Sequence, residues 1–199
     1  MRRWEQLRKI DLKNTKHIKT KVDELLAGGS IKQDDEKVAK LISLMVKKAN
    51  NNLKFAKTTL ALCENNEVKD SLGLQEKDSF YDWVIVVAYY AMFHITQALL
   101  ATKKIKITNI RVHEATLYAF AHNFILTKEL EDELFFTYED AEAKAEELFT
   151  SLSEERRKRG KFTYERLPQA NKEPAEESIT HATEFVREIE TILKRQKFL

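Results

Sequence analysis

The chain of 199 residues carries 34 Lys and Arg against 32 Asp and Glu, a net charge of +2, so whole-molecule charge singles out neither a polyanion nor a membrane surface as partner. Gly and Pro number only 4 and 2 while charged residues make up 33%, a composition of long helices and few tight turns. The single cysteine, Cys63, excludes an internal disulfide framework and fits a reducing cytoplasm.

Residues 1–33 read as a basic N-terminal arm and 34–199 as the main bundle. Within its first 21 residues, Arg2, Arg3, Arg8, Lys9, Lys13, Lys16, Lys19 and Lys21 stand against Glu5 and Asp11. The first twenty residues lack the apolar core of a signal peptide, so a cytoplasmic location is expected. Ile18, Val22 and Leu25 predict a short helix that stops at Gly28-Gly29. A longer helix is expected from Asp34 or Asp35. Its stripe is Val38, Leu41, Ile42, Met45, Ala49, Leu53, Ala56 and Leu60, recurring at three and four. Residues 65–73 read as a loop.

Asp78 or Ser79 is expected to cap the next helix, whose sequence over 81–100 is YDWVIVVAYYAMFHITQALL. It is apolar almost all round, which predicts a helix buried at the centre of an all-helical domain. Its Tyr, Asp, His, Thr and Gln argue for a core helix rather than a membrane span. After a connector over 102–110, with Thr108 or Asn109 as cap, a shorter helix over 112–124 carries Leu117, Phe120 and Phe124. Thr127 then caps a long helix over 128–159, with Leu130, Leu134, Tyr138, Ala141, Ala145, Leu148 and Leu152 on one face. That helix begins acidic and ends basic, matching its dipole. A loop follows, and Pro174 occupies a first-turn position of the last helix, which carries Ile179, Ala182, Phe185, Ile189 and Ile192. The expected fold is all-α, an up-and-down bundle of about five helices.

No Glu-x-x-His pair, glycine-rich phosphate loop or paired-cysteine spacing occurs, so no metal or cofactor is expected. Cys63, Tyr89 and Tyr90 are expected in packing roles, and His94 as a hydrogen-bonded core or interface residue. His113 is either a capping residue or part of a pocket near the helix junction. The cluster Arg156, Arg157, Lys158, Arg159, Lys161 and Arg166 is either a solvated helix end or a phosphate-binding surface. The acidic run over 129–147 reads as a wet face.

With the helices placed, the Ala-Tyr-Tyr-Ala-Met-Phe-His stretch over 88–94 resembles the second core helix of HEPN domains. His113 before the third helix, and Arg159-Gly-Lys-Phe-Thr-Tyr164 after the fourth, resemble elements of the UPF0332-like branch of that family. The resemblance covers roughly 34–199 and implies a homodimeric helical bundle, often paired with a small nucleotidyltransferase. Many members are metal-independent ribonucleases that pair an Arg with a His about five to seven positions further on. The His serves in proton transfer and the Arg in stabilising phosphate charge. Arg111, Arg156, Arg157 and Arg159 all lack a His at that offset, and Arg159 meets Tyr164 instead. A tyrosine of ordinary pKa, about 10, is a poor base at neutral pH.

The expectation is therefore a toxin-like, partner-binding member of a HEPN/nucleotidyltransferase pair without the standard Arg/His site. Tyr164 is the candidate for modification by nucleotide transfer. One alternative is a ribonuclease with a divergent catalytic set drawn from Arg159, Tyr164 and His113. Another is a non-catalytic RNA- or nucleotide-binding protein using Arg156, Arg157, Lys158 and Lys161 together with the basic arm over 1–21.

Overall fold

The computed structural model describes residues 10–158 and 171–199, excepting the side chains of 149–158. Seven α-helices occur among them: α1 (Thr15–Ala27), α2 (Ile42–Cys63), α3 (Asn66–Ser71), α4 (Tyr81–Thr102), α5 (Val112–Phe120), α6 (Asp132–Lys158) and α7 (Lys172–Arg195). A 3-10 turn, Val38–Leu41, leads into α2, and a π-helical segment, Ala121–Ile125, extends α5. The all-α bundle expected from the sequence is what the chain forms. Its sheet is confined to two short antiparallel strands, β1 (Ile31–Lys32) and β2 (Lys106–Ile107), with Ile31 opposite Ile107.

Helix α4 is the axis of the bundle. Fourteen of its residues are buried, from Val84 to Ala101, and it packs against α2, α7 and α6. By length and composition it could cross a membrane, yet most of it lies inside the protein as the core helix. The largest fully buried side chains are Tyr138, Phe120, Phe124, Phe135 and Phe185, which bring α5, the π segment, α6 and α7 together. Removing each such aromatic or aliphatic side chain from water contributes about 1.5–3 kcal/mol. Helix α1 joins the same core through Ile18, Val22 and Leu25.

Local chemistry sets most ends. The Asn14 side chain accepts the His17 N–H at 3.1 Å to start α1, and Gly29 follows its end at φ +71. Pro174 lies in the first turn of α7. Several expected boundaries differ. Residues 65–73 hold the short α3, because Asn65 accepts the Val68 N–H at 3.0 Å. Helix α4 starts after Phe80 without a side-chain cap, since Asp78 instead accepts the Gln75 N–H at 2.8 Å. Helix α5 starts after Arg111, which adopts the left-handed conformation at φ +47, while Thr108 Oγ1 is engaged with the Gly29 carbonyl. The long α6 begins at Asp132 rather than near Thr127, whose hydroxyl donates to the Asn123 carbonyl.

Three elements are tied at one end of the bundle. Glu64 after α2 receives hydrogen bonds from Lys172 of α7 and Tyr81 of α4. Lys172 and then Tyr81 hold the Glu64 carboxyl below its usual range, and the same bond from Tyr81 raises that phenol to about 12. Cys63 is buried, and its Sγ accepts the Phe80 N–H at 3.2 Å, a packing role.

Candidate functional site

A pocket of about 610 Å³ opens where α4, α5 and α6 meet. Its walls are apolar and aromatic, including Tyr89, Tyr90, Leu117, Tyr118 and Ala145, and its polar groups are Arg111, His113, Glu114, Glu142 and Glu146. A concave, mostly apolar cavity with a few converging polar groups is the usual form of a binding site.

The α4 register builds one wall. Tyr89 and Tyr90 stand side by side with ring centroids 5.5 Å apart, and Phe93 lies one turn on. The His113 ring enters from the start of α5 and packs on all three, 5.7 Å from Tyr89, 5.9 Å from Tyr90 and 4.8 Å from Phe93. The Tyr89 hydroxyl lies 2.6 Å from His113 Nδ1. Burial pushes the Tyr89 phenol well above its usual range, with Tyr138 and Glu142 adding to the effect. A phenol this hard to ionise keeps its proton, and its hydrogen bond with Nδ1 fixes the orientation of the His113 ring and holds neutral His113 in a single tautomer. His113 is therefore a pocket residue positioned by Tyr89, the second of the two roles its sequence context allowed.

The mouth is governed by Arg111. Its left-handed backbone places the side chain over the first turn of α5, where it makes a bidentate pair with Glu114: Nε to Oε2 and Nη2 to Oε1, both 2.6 Å. Lys21 of α1 approaches the same carboxylate at 3.6 Å. Tyr118, one turn beyond Glu114, reaches His17 Nε2 through its hydroxyl at 3.4 Å.

Helix α6 supplies the acidic side. The run expected as a wet face is only partly so: Glu139 and Glu142 are buried at 2% and 5% exposure, and Glu139 Oε1 accepts the Ile10 N–H at 2.9 Å. Neighbouring Tyr138 is fully buried, and its phenol is pushed far up by burial. Among the described residues the Tyr138 hydroxyl has no hydrogen bond of normal geometry, although it sits close enough to Tyr89 to influence it. His94 borders this wall, half-buried beside Tyr90 and Phe93. Desolvation, then the charges of Lys48 and His113, lower its pKa to about 4, so it is neutral at pH 7.

Of the residues singled out in the sequence, His113 lies in the pocket. Arg159, Lys161 and Tyr164 lie outside the described residues, and Arg156, Arg157 and Lys158 are described only as the backbone end of α6. Sequence reasoning missed Arg111, Tyr118 and Glu142 as pocket residues. The available signal was the Arg-Val-His-Glu run over 111–114, which puts an arginine and a histidine at one helix start. No group of three or more His, Cys, Asp or Glu suited to hold a metal occurs among the described residues.

Comparison with known proteins agrees with this architecture. A protein of Methanocaldococcus jannaschii named as a candidate toxin is 46% identical over 56 residues, covering 28% of this chain and 36% of that protein. The chain thus spans about a third of the length of that curated relative. No solved structure matches it. The HEPN domain profile matches residues 64–192, well over half of the chain and all of the pocket's walls, and the chain belongs to the HEPN domain family.

Proposed function

We propose that the chain is a toxin-like HEPN module that works as a homodimer and acts by binding a protein partner, a small nucleotidyltransferase, through the pocket between α4, α5 and α6. One observation carries this reading. Besides His113 and the tyrosines, the polar side chains lining the pocket among the described residues are three carboxylates, Glu114, Glu142 and Glu146, against one arginine that Glu114 already holds bidentately. Such a field repels an RNA backbone and suits a basic or polar protein segment, which the aromatic walls can also bury. The toxin-like label of the M. jannaschii relative supports the same class, as does the absence of an Arg with a His at the family's spacing.

The test is calorimetric titration of the protein with a small nucleotidyltransferase of the same genome. Glu146 is exposed, so Glu146→Lys leaves the fold intact and reverses charge at the pocket. It should weaken the complex at least about tenfold, the order of effect of losing one good interfacial charge contact. Glu131→Lys, exposed at the far end of the acidic run, should not. No complex with the wild type, or equal affinity for Glu146→Lys, would refute the reading.

A second reading is favoured by one feature: Arg111 and His113 share the pocket. In a metal-independent ribonuclease, Nε2 of His113 would exchange protons with the reacting hydroxyl. Arg111 would have to leave Glu114 to reach a phosphate. Arg159 and Tyr164 could complete such a site. This reading predicts RNA cleavage in the presence of EDTA that disappears in His113→Ala.

A further inference from the structure

The pocket side is acidic, but the opposite character is concentrated on α2 and the turn that leads into it. Between Glu36 and Glu64 the chain has six lysines, Lys37, Lys40, Lys47, Lys48, Lys54 and Lys57, and no Asp or Glu. All six are exposed, and none forms an ion pair among the described residues. The flanking carboxylates are committed elsewhere, Glu36 to Lys104 at 2.6 Å and Glu64 to Lys172. The carboxylate that α7 brings up to α2, Glu190, is bound by the Asn50 amide at 2.5 Å. A net charge near zero for the molecule therefore conceals a cationic helix.

The same face is unusually apolar. Lys47 and Lys54 form one row at seven-residue spacing, with Lys40 in the turn before it, and Leu44, Lys48 and Phe55 form the next. Leu44 is 50% exposed and Phe55 56%. Helix α4 lies antiparallel beside this row. Cys63 meets Phe80, and Lys48 acts on His94, so Phe55 falls level with Val87 and Thr59 with Trp83, which is 51% exposed. Two half-exposed aromatic rings, Phe55 and Trp83, thus lie on the α4 side of a lysine row on a helix about 33 Å long.

We propose that this α2 face, with Trp83 of α4, is a binding surface for single-stranded nucleic acid. Lysines without competing carboxylates track a phosphate backbone, and exposed rings stack on unpaired bases. A second copy of the chain is a poorer occupant, because a twofold interface here would set these lysines against themselves. An acidic protein surface would use the lysines but gives no role to both rings. Neither the lysines nor the two rings are among the residues lining the pocket, so the test fails or succeeds independently of partner binding.

The experiment is fluorescence anisotropy with a labelled oligouridylate of about 16 nucleotides, the upper end of common single-strand footprints, titrated across salt concentrations. Wild type is expected to bind the single strand better than a duplex of equal length. Lys47→Gln/Lys54→Gln should reduce the slope of log K against log salt by about 1.4, the share of two phosphate contacts on a single strand. Phe55→Leu keeps an apolar side chain but removes the ring, and should weaken binding by about 5- to 150-fold. Lys128→Gln, a single charge removal at a lysine paired with Asp132 rather than on α2, should alter neither. Absence of binding at low salt, unchanged binding in the double variant, or equal competition by polyglutamate would overturn the proposal.

Discussion

Tyr89→Phe deletes one oxygen and tests whether the pocket is organised as described. Tyr89 is 3% exposed, and its hydroxyl lies 2.6 Å from Nδ1 of half-buried His113. The net value of such a bond is about 0.5–1.5 kcal/mol, and leaving the nitrogen without this partner adds part of a desolvation penalty of about 1–3 kcal/mol. A total loss of about 1–3 kcal/mol follows, since the ring itself is retained and no large cavity opens. For a chain of this size each kcal/mol moves Tm by about 2–4 °C, so Tm should fall by roughly 2–12 °C. The urea m-value should stay constant, because the surface exposed on unfolding is unchanged. Nitrogen-15 NMR supplies a sharper readout. Wild-type His113 should hold a single tautomer when neutral, and the variant should populate both. Unchanged stability together with an unchanged tautomer would refute the assignment of Tyr89 as the group that orients His113.

Three further outcomes follow from the same geometry. Tyr138→Phe removes a fully buried hydroxyl without a normal hydrogen bond, so urea melts should show no loss and up to about 1–2 kcal/mol of gain, whereas a clear loss would mean that hydroxyl donates to Tyr89. His94 has a folded pKa of about 4 against an ordinary value near 6.5, so the folded state binds fewer protons between them. Its contribution to stability is complete above pH 6.5 and is lost as pH falls from there toward 4. After discounting for its partial exposure this is about 1–2 kcal/mol, and His94→Gln should be less sensitive than wild type to acid by that amount in melts at pH 7 and pH 4.5. Glu177→Gln should cost about 1–3 kcal/mol in urea titrations, less than for a fully buried pair, because Lys144 is 6% exposed and pairs with Glu177 at 2.9 Å while Glu177 retains some solvent; an unchanged midpoint would show the pair to be dispensable.

The features legible in the sequence were those carried by local pattern. The all-round apolar run over 81–100 marked α4 as the core helix, and the helix stop at Gly28-Gly29 and the first-turn Pro174 stand where their backbone preferences put them. Boundaries failed where a side chain had competing partners. Asp78 and Thr127 are good capping residues by type, but the Asp78 carboxylate accepts the Gln75 N–H, and the Thr127 hydroxyl points back to donate to the Asn123 carbonyl. The short α3 turned on one asparagine in a segment otherwise rich in loop residues.

The pocket was hidden for a different reason. His113 and Tyr89 are 24 positions apart, and nothing in either segment alone encodes the 2.6 Å contact. Glu139 and Glu142 look like members of a solvated acidic run, and their burial arises only because α4, α5 and the chain at Ile10 close over α6. Arg111 was discounted for lacking a histidine at the family's spacing, yet the left-handed start of α5 brings it to the same cavity as His113.

The most direct test of the central claim, a module that acts by binding rather than by cutting RNA, is incubation of the EDTA-treated protein with mixed RNA substrates beside His113→Ala and Arg159→Ala. The account predicts no cleavage by the wild type above the level of either variant. Metal-independent cleavage by the wild type that is abolished in the variants would contradict it and install the pocket as a ribonuclease site.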